Sequence, residues 1–354
     1  MSNRLLLLTL DYPPRKGGVA RYLSAFASFF ADRISVAVLD HPSYWQMIRE
    51  LWRRRKIYDT VVVSHVLPAG TAAHAARALT FKPYVVIVHG MDIGLAQKNP
   101  WKKWLAGHVL RNAKLVIANS QGLEREVREV FGVKRTTFAY PPVGGLMGAE
   151  AGGPRRPERS HRIPGRSEDD GVGRSRGPIS LVTVARLVER KGHIRVLNAI
   201  AECRDIVSSY RIVGGGAMEE AIRDEVKRLG LEQIVRLETD AEDAAVQAAY
   251  ESSDVFVMPT VGNTADREGF GMVYLEAASF GVPSIASDVP GVDEAVIDGE
   301  TGLLVQDGDH AALVAAIRKM ADPELRERLG ENAQLRAHRD FKPSECFGKL
   351  EAFL

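Results

Sequence analysis

The sequence predicts an α/β protein built from two doubly wound parallel sheets that face each other across a cleft. Its 354 residues exceed what one hydrophobic core usually supports, so two domains are expected. Short, β-branched apolar runs alternate with helical patterns along the chain, which is typical of parallel sheets with helices on both faces. A stretch rich in Gly, Pro and Arg, residues 148–178, separates two such halves. Ligands of these sheets bind at the carboxyl ends of the strands, so the site is expected between the domains.

Each half contains six apolar runs that we predict to be strands. In the first half they are residues 4–9, 34–39, 60–64, 84–89, 115–119 and 136–139. In the second half they are residues 179–184, 210–213, 234–237, 255–258, 283–286 and 303–305.

The domain boundaries follow from the stretch between the two sets of strands. Residues 148–178 contain few large apolar side chains and cannot bury enough surface to order themselves, so we interpret them as a flexible linker with an insertion. The first domain is then residues 1–147, rejoined by a C-terminal helix at 340–354, and the second is residues 179–339.

Charge is divided unequally between the halves. Residues 1–150 carry 21 Lys and Arg against 10 Asp and Glu, whereas residues 179–354 carry 19 against 31. A basic first domain is expected to meet an anionic ligand or a membrane surface. The two cysteines lack the spacing of a disulfide framework or a zinc site, and the apolar run at 5–10 is too short for a signal peptide or a membrane span. We therefore expect a cytoplasmic protein.

The segment EGFGMVYLE, residues 268–276, has the pattern of a loop that leads into a helix. Gly269 and Gly271 allow a tight backbone path, and the apolar positions predict a helix that begins at Met272. The N–H groups of Met272 and Val273 would then lie at a helix N-terminus, where the helix dipole also favours a phosphate.

Two carboxylates flank this predicted helix start. Glu268 precedes it and Glu276 lies within the helix, so we expect them to bind different parts of one ligand. An ionised carboxylate accepts hydrogen bonds at both oxygens and suits vicinal sugar hydroxyls. The alternative is that both are solvated charges beside an ordinary glycine turn.

Further candidates follow three other strands. In VARLVERKGH, Arg186 and Lys191 would bind a diphosphate and neutralise a leaving pyrophosphate without a metal; the alternative is a solvated basic loop. Gly17 and Gly18 precede a helical pattern but lack the G-x-G-x-x-G spacing, so the pair is weak evidence by itself. His89 ends a buried strand and would face the cleft, although a single histidine is more often structural. No metal site is expected.

Two clusters in the basic half combine tryptophan with Lys and Arg, namely residues 44–56 and 101–104. Such clusters suit the headgroup region of a membrane, with the rings at the interface and the cations against anionic lipid. The hypothesis is a peripheral membrane contact. The alternative is that the tryptophans pack in the core.

Taken together, these motifs resemble the retaining glycosyltransferases of family 4 (glycosyl transferases group 1), which have the GT-B fold. The resemblance covers nearly the whole chain and rests on the order and spacing of its motifs. They are the glycine pair at 17–18, HGMD at 89–92, ANSQGL at 118–123, YPPV at 140–143, the Arg/Lys pair, the glycines at 214–216, E-x7-E at 268–276 and TGLLV at 301–305.

The resemblance implies a role for each matching residue. It implies that Glu268 and His89 are catalytic, with Glu268 at the transferred sugar. It implies that the donor is bound by Gly17, Gly18, Arg186, Lys191, Phe270, Gly271, Met272, Val273 and Glu276. Glu276 would hold the ribose, and Arg186 and Lys191 would hold the diphosphate.

The implied activity is the retaining, metal-independent transfer of a hexose from a UDP- or GDP-sugar to a lipid-linked or envelope glycan. No cofactor and no nucleic-acid partner are expected. Two departures from the family pattern are Ala185 in place of a glycine and the sequence ETDAEDAAV from Glu238, which leaves the base open. A nucleotide-sugar epimerase and an inactive binding subunit of the same fold are the alternatives. A nicotinamide dehydrogenase is disfavoured because the first strand is not followed by G-x-G-x-x-G.

Overall fold

The fold is described from a computed structural model of the chain, for residues 3–15, 17–41, 43–144, 178–262 and 268–354. The predicted linker, apart from Pro178, lies outside the described residues. The strands are β1 Leu5–Thr9, β2 Ile34–Val38, β3 Thr60–Ser64, β4 Tyr84–Val88, β5 Leu115–Ala118, β6 Thr136–Phe138, β7 Ile179–Val184, β8 Val207–Val213, β9 Val235–Glu238, β10 Val255–Met258, β11 Ser284–Ser287 and β12 Gly302–Val305.

Helices alternate with these strands. They are α1 Gly18–Phe29, α2 Tyr44–Arg54, α3 Thr71–Thr80, α4 Met91–Gln97, α5 Pro100–Asn112, α6 Gln121–Phe131, α7 His193–Glu202, α8 Glu219–Arg228, α9 Asp243–Ser252, α10 Met272–Ser279, α11 Val292–Ala295, α12 His310–Lys319, α13 Pro323–Asp340 and α14 Pro343–Phe347. Single turns of 3-10 helix occur at Glu189–Lys191 and Gly348–Ala352, and a π turn at Val66–Gly70.

The strands form two parallel six-stranded sheets, as predicted. The first has the order β2-β1-β3-β4-β5-β6 and the second β12-β11-β10-β7-β8-β9. The order reverses beside β1 in the first sheet and beside β7 in the second. The loops that follow β1, β3, β7 and β10 therefore leave from the points where doubly wound sheets bind ligands.

The continuous apolar runs form strands because helices cover both faces of each sheet. All residues of β1, β3 and β4 are buried, whereas the edge strand β2 is partly exposed. This pattern explains why the central strands could be predicted from unbroken runs of Val, Ile and Leu. The predicted strand ends are accurate to within three residues, the largest difference being the start of β8 at Val207.

The two halves share one apolar cluster. It includes Tyr22 and Phe26 of α1 and reaches Phe270 and Tyr274 of the second half. The chain returns to the first half at its C-terminus, where Phe347 of α14 is fully buried. The Phe347 ring lies edge-on to Tyr22 and Phe26, with ring centroids 5.5 and 5.6 Å apart. The domain boundaries proposed from the sequence remain a prediction.

The packing of Phe347 leads to a stability prediction. Phe347→Ala should lower the free energy of unfolding by about 3–5 kcal/mol, because it removes a fully buried ring and leaves a cavity against α1. Phe353→Ala is the matched control, since that ring is 48% exposed. Its effect should stay within about 0.5 kcal/mol. Urea denaturation followed by circular dichroism measures both; equal effects would contradict this account of the C-terminus.

Candidate active site

The predicted site residues follow the carboxyl ends of β1, β4, β7 and β10, either on the loop after the strand or in the first turns of the next helix. Gly17 and Gly18 follow β1, and His89 follows β4. Lys191 follows β7, and Glu268 follows β10. The loops of the two halves are in contact, so these residues belong to one region between the sheets.

Glu268 and Lys191 form an ion pair at the centre of this region. The Glu268 Oε2 atom accepts a hydrogen bond from Lys191 Nζ at 2.5 Å and another from Arg190 Nη1 at 2.7 Å. All three side chains are at least 86% buried. The other oxygen of Glu268, Oε1, accepts no hydrogen bond from the described residues, so it is available to a ligand.

The charge of Glu268 depends on its two cationic partners. Burial by itself would raise the pKa of this carboxyl, but the charges of Lys191 and Arg190 outweigh burial and hold its pKa at about 2. Glu268 is therefore ionised throughout the physiological range, and it neutralises part of the positive charge at the end of β7.

Arg186 and Lys191 differ in burial and in their hydrogen-bond partners. The Arg186 side chain is exposed and has no hydrogen-bond partner among the described residues. It is nevertheless close enough to Lys191 to act on the pKa of that amine, after the larger effects of burial and of Glu268. The cation that shares the Glu268 carboxylate with Lys191 is instead Arg190, a residue that the sequence did not single out.

The loop before α10 requires glycine because the first half lies against it. A Cβ atom on Gly269 would stand 2.2 Å from the carbonyl oxygen of His89, which is too close for any side chain. Gly271 has φ +84° and precedes the first residue of α10, Met272. The helix begins where the sequence predicted, so the N–H groups of Met272 and Val273 lie at its N-terminus without an acceptor within the helix.

The other residues predicted to bind the sugar donor surround the start of this helix. A Cβ on Gly18 would lie 3.5 Å from Met272 Sδ, which brings the glycine pair of the first half to the start of α10. Val273 belongs to the same first turn. The Phe270 side chain packs between Tyr140 and Phe341, with ring centroids 5.2 and 5.9 Å apart, so only its backbone is available to a donor.

Glu276 lies in α10 and is 9% exposed. Its Oε1 atom accepts a hydrogen bond from Arg21 Nη1 of α1 at 2.6 Å, and its Oε2 atom accepts one from the Tyr250 hydroxyl at 3.1 Å. Burial raises the pKa of Glu276, and the charge of Arg21 opposes that effect. Sequence reasoning did not identify Arg21 or Tyr250 as partners of this carboxylate.

His89 is placed between aromatic rings at the boundary of the halves. Its ring centroid lies 5.4 Å from those of Tyr22 and His65. Burial, assisted by His65, holds the pKa of His89 well below its usual value, so the imidazole is neutral at pH 7. Its Nε2 atom and the neighbouring Asn119 Oδ1 are buried and have no hydrogen-bond partner in the described part of the chain, which leaves both available to a polar ligand.

Across the described ranges, no three His, Cys, Asp or Glu side chains are grouped in a way that would hold a metal ion. Asp307 and Asp309, on either side of Gly308, have structural roles, since Asp307 pairs with Arg195 at 2.6 Å and Asp309 caps α12.

Two protein-family models match the chain. Residues 166–336 match the model described as glycosyl transferases group 1, and residues 37–143 match glycosyltransferase family 4. The matches lie on the second and first halves, respectively. The motifs of the resemblance therefore fall within matched segments, apart from the glycine pair that follows β1.

Curated relatives extend over most of the chain. A GDP-mannose-dependent alpha-(1-6)-phosphatidylinositol monomannoside mannosyltransferase of Mycolicibacterium smegmatis is 28% identical over 92% of this chain and 91% of the relative. A putative colanic acid biosynthesis glycosyltransferase, WcaL, of Salmonella typhimurium is 26% identical over 83% of this chain and 70% of the relative. Among solved structures, Anabaena Alr3699/HepE in complex with UDP-glucose superposes with a TM-score of 0.77 at 20% identity, over 98% of each chain.

The buried carboxylate of Glu268 leads to a prediction for stability against pH. Its folded-state pKa of about 2 lies below the ordinary value of 4.5, so its contribution is complete above about pH 4.5 and is lost as the pH falls towards 2. The unfolding free energy of the wild type should therefore fall more steeply over this range than that of Glu268→Gln. Glu219→Gln, which breaks an exposed pair with Arg223, is the control and should match the wild type. Parallel curves for all three proteins would contradict the assignment.

Proposed function

We propose that this chain transfers a hexose from a UDP- or GDP-sugar to a lipid-linked or envelope glycan, with retention and without a metal ion. The chain belongs to glycosyltransferase family 4 and has the GT-B fold. The observation that carries the proposal is the meeting of Lys191, Glu268 and the start of α10 with the loops of the first half. The relatives described above are named as glycosyltransferases, which favours transfer over epimerisation or a binding role.

The donor diphosphate would lie between the end of β7 and the start of α10. Arg186, Arg190 and Lys191 supply three positive charges there, of which Glu268 balances one. The N–H groups of the first turn of α10 add donors on the opposite side. This arrangement is suited to stabilise a leaving diphosphate through protein groups alone.

The two carboxylates would bind the other parts of the donor, Glu268 the transferred sugar and Glu276 the ribose. Glu268 would accept a hydrogen bond from the transferred sugar at Oε1, while Oε2 stays on Lys191 and Arg190. Glu276 would accept the ribose hydroxyls. The unpaired His89 Nε2 would reach the sugar from the first half.

Transfer with retention would proceed on one face of the sugar. The bond between the anomeric carbon and the diphosphate oxygen breaks as the acceptor oxygen forms its bond to the same face. The acceptor proton passes to the departing phosphate oxygen, which Lys191 and the α10 amides stabilise. No side chain is then required as the base.

A guanosine donor is favoured within this proposal. The mannosyltransferase relatives that span most of the chain are named as GDP-mannose-dependent. After β9, the carboxylates of Asp240 and Glu242 in the turn and of Asp243 at the start of α9 are exposed and accept no hydrogen bond from the described residues. Guanine presents two adjacent N–H groups that can both donate hydrogen bonds to one carboxylate. Uracil has no such pair.

The helices α2 and α5, which both pack against α3, form the surface that we consider for contact with the acceptor. Trp45, Trp101 and Trp104 are 76%, 63% and 55% exposed, so core packing does not explain them. The rings of Trp101 and Trp104 stack 4.9 Å apart beside Lys102 and Lys103. Among the described helices, none has the length and apolar character to cross a membrane. We propose that this surface rests on anionic lipid and presents the cleft to a lipid-linked acceptor.

Substitutions at the ion pair should separate turnover from binding. Glu268→Gln should lower kcat by about 100-fold or more while changing donor affinity little, because its lost contact is to the reacting sugar. Lys191→Ala should lower both, because it removes charge from the diphosphate and leaves Glu268 buried with less compensation. Steady-state kinetics with isothermal titration calorimetry measures the two quantities.

Lys319→Ala, at the C-terminal end of α12, is the matched control and should retain wild-type kinetics. Wild-type turnover in Glu268→Gln would contradict the role assigned to that carboxylate.

The membrane contact can be tested with liposomes. The wild type should sediment with anionic vesicles at low salt and less so at high salt, because cations and interfacial rings both contribute. Replacing Trp45, Trp101 and Trp104 by Ala should reduce binding at least tenfold. Leu335→Ala, which removes a 69% exposed apolar side chain from α13, is the control and should bind normally. Absence of wild-type binding at low salt would overturn this part of the proposal.

A further inference from the structure

An ion pair across the two halves engages the carboxylate that we assign to the ribose. Arg21 belongs to α1 of the first half, and its Nη1 atom lies 2.6 Å from Glu276 Oε1 on α10 of the second half. The Tyr250 hydroxyl donates to the other oxygen at 3.1 Å. The Arg21 side chain is 29% exposed and that of Glu276 is 11% exposed, so the pair is shielded without being closed to a ligand.

We propose that Arg21 is a positioning residue of the donor site, supplied by the first half, which fixes the Glu276 carboxylate for the ribose of the nucleotide sugar. This inference rests on the proposed function, because it takes the ribose as the ligand of Glu276.

The geometry supports positioning because the carboxylate keeps capacity for a ligand. Two carboxylate oxygens offer about four acceptor directions, and Arg21 and Tyr250 use one at each oxygen. A ribose diol can therefore bind to the remaining directions while both partners stay in place. Two fixed hydrogen bonds hold the carboxylate in one orientation, which reduces the ordering required when the donor binds.

Arg21 also acts on the ionisation of Glu276. The charged and titratable groups near this carboxylate are Arg21 from α1 and Asp243 and Tyr250 from α9. Burial is the largest effect and raises the pKa of Glu276, and Asp243 adds to it, whereas Arg21 and Tyr250 lower it. Without Arg21, the carboxyl would become protonated at higher pH and would lose its capacity to accept from both ribose hydroxyls.

The contact also makes donor binding depend on the first half. Arg21 lies one turn after Gly18, which itself approaches Met272 at the start of α10. The same helix therefore contributes at both the diphosphate and the ribose. A complete donor site would exist only while the two halves are together.

The test compares donor binding and kinetics in Arg21→Gln, Arg21→Lys and the wild type. Arg21→Gln should weaken donor binding and raise the donor KM by about tenfold or more, the size expected for losing a charge-assisted hydrogen bond, with a smaller change in kcat. Arg21→Lys should recover part of the loss. Arg223→Gln, which removes a guanidinium from an exposed pair with Glu219, is the control.

A pH series separates positioning from a merely structural role. Donor binding should weaken as the pH falls, because Glu276 becomes protonated, and in Arg21→Gln the weakening should begin at higher pH than in the wild type. If Arg21→Gln does not fold, the same shift measured in Arg21→Lys, smaller but in the same direction, carries the test.

Three results would be decisive against the inference or its basis. Unchanged donor affinity and pH dependence in the Arg21 variants would overturn it. Tighter binding would also overturn it, because Arg21 would then block the ribose. If the wild type bound no nucleotide sugar at all, the proposed function itself would fail. That result differs from the two above, in which the wild type binds the donor and only the role assigned to Arg21 fails.

Discussion

The buried carboxylate of Glu268 is the constraint on which the site depends. An ionised group at this depth is costly unless cations compensate for it, and Lys191 and Arg190 do so on a single oxygen. This ties the loop after β10 to the turn after β7, two strands that are neighbours in the second sheet. Because one oxygen carries both contacts, the other is left for a ligand. The ion pair thus fixes the loops and preserves a functional group at the same time.

The second sheet is joined to the first by close backbone contact rather than by charge alone. Gly269 lies against the His89 carbonyl, and a carboxylate of the second half, Glu294, accepts hydrogen bonds from the Gln121 and Gly122 amides at 2.7 and 2.6 Å. The second contact caps the N-terminus of α6, where a negative charge is favoured. Together with Arg21 and Glu276, these contacts surround the start of α10 with groups from both halves. The chemistry proposed for the cleft requires this arrangement, since neither half contains all of its parts.

Much of the fold could be predicted from the sequence because its signals are local. Runs such as YVVIV of β4 are buried on both faces and so show continuous apolar character. Gly271 and the apolar pattern after it located the start of α10. The partners of the two carboxylates could not be found in this way. Arg190 and Lys191 both reach Glu268 from the 3-10 turn after β7, whereas the Arg186 side chain makes no hydrogen bond to it, and Arg21 meets Glu276 from 255 residues away. Periodicity and spacing contain no information on such contacts between elements.

We propose that protein groups in this cleft bind and activate a nucleotide sugar. The most direct measurement is nucleotide release from a panel of UDP- and GDP-sugars, with a chelator present and without an added acceptor. We expect slow hydrolysis of one of these donors by the wild type, undiminished by the chelator. Absence of release from every donor in the panel, or release that strictly requires a divalent ion, would contradict it.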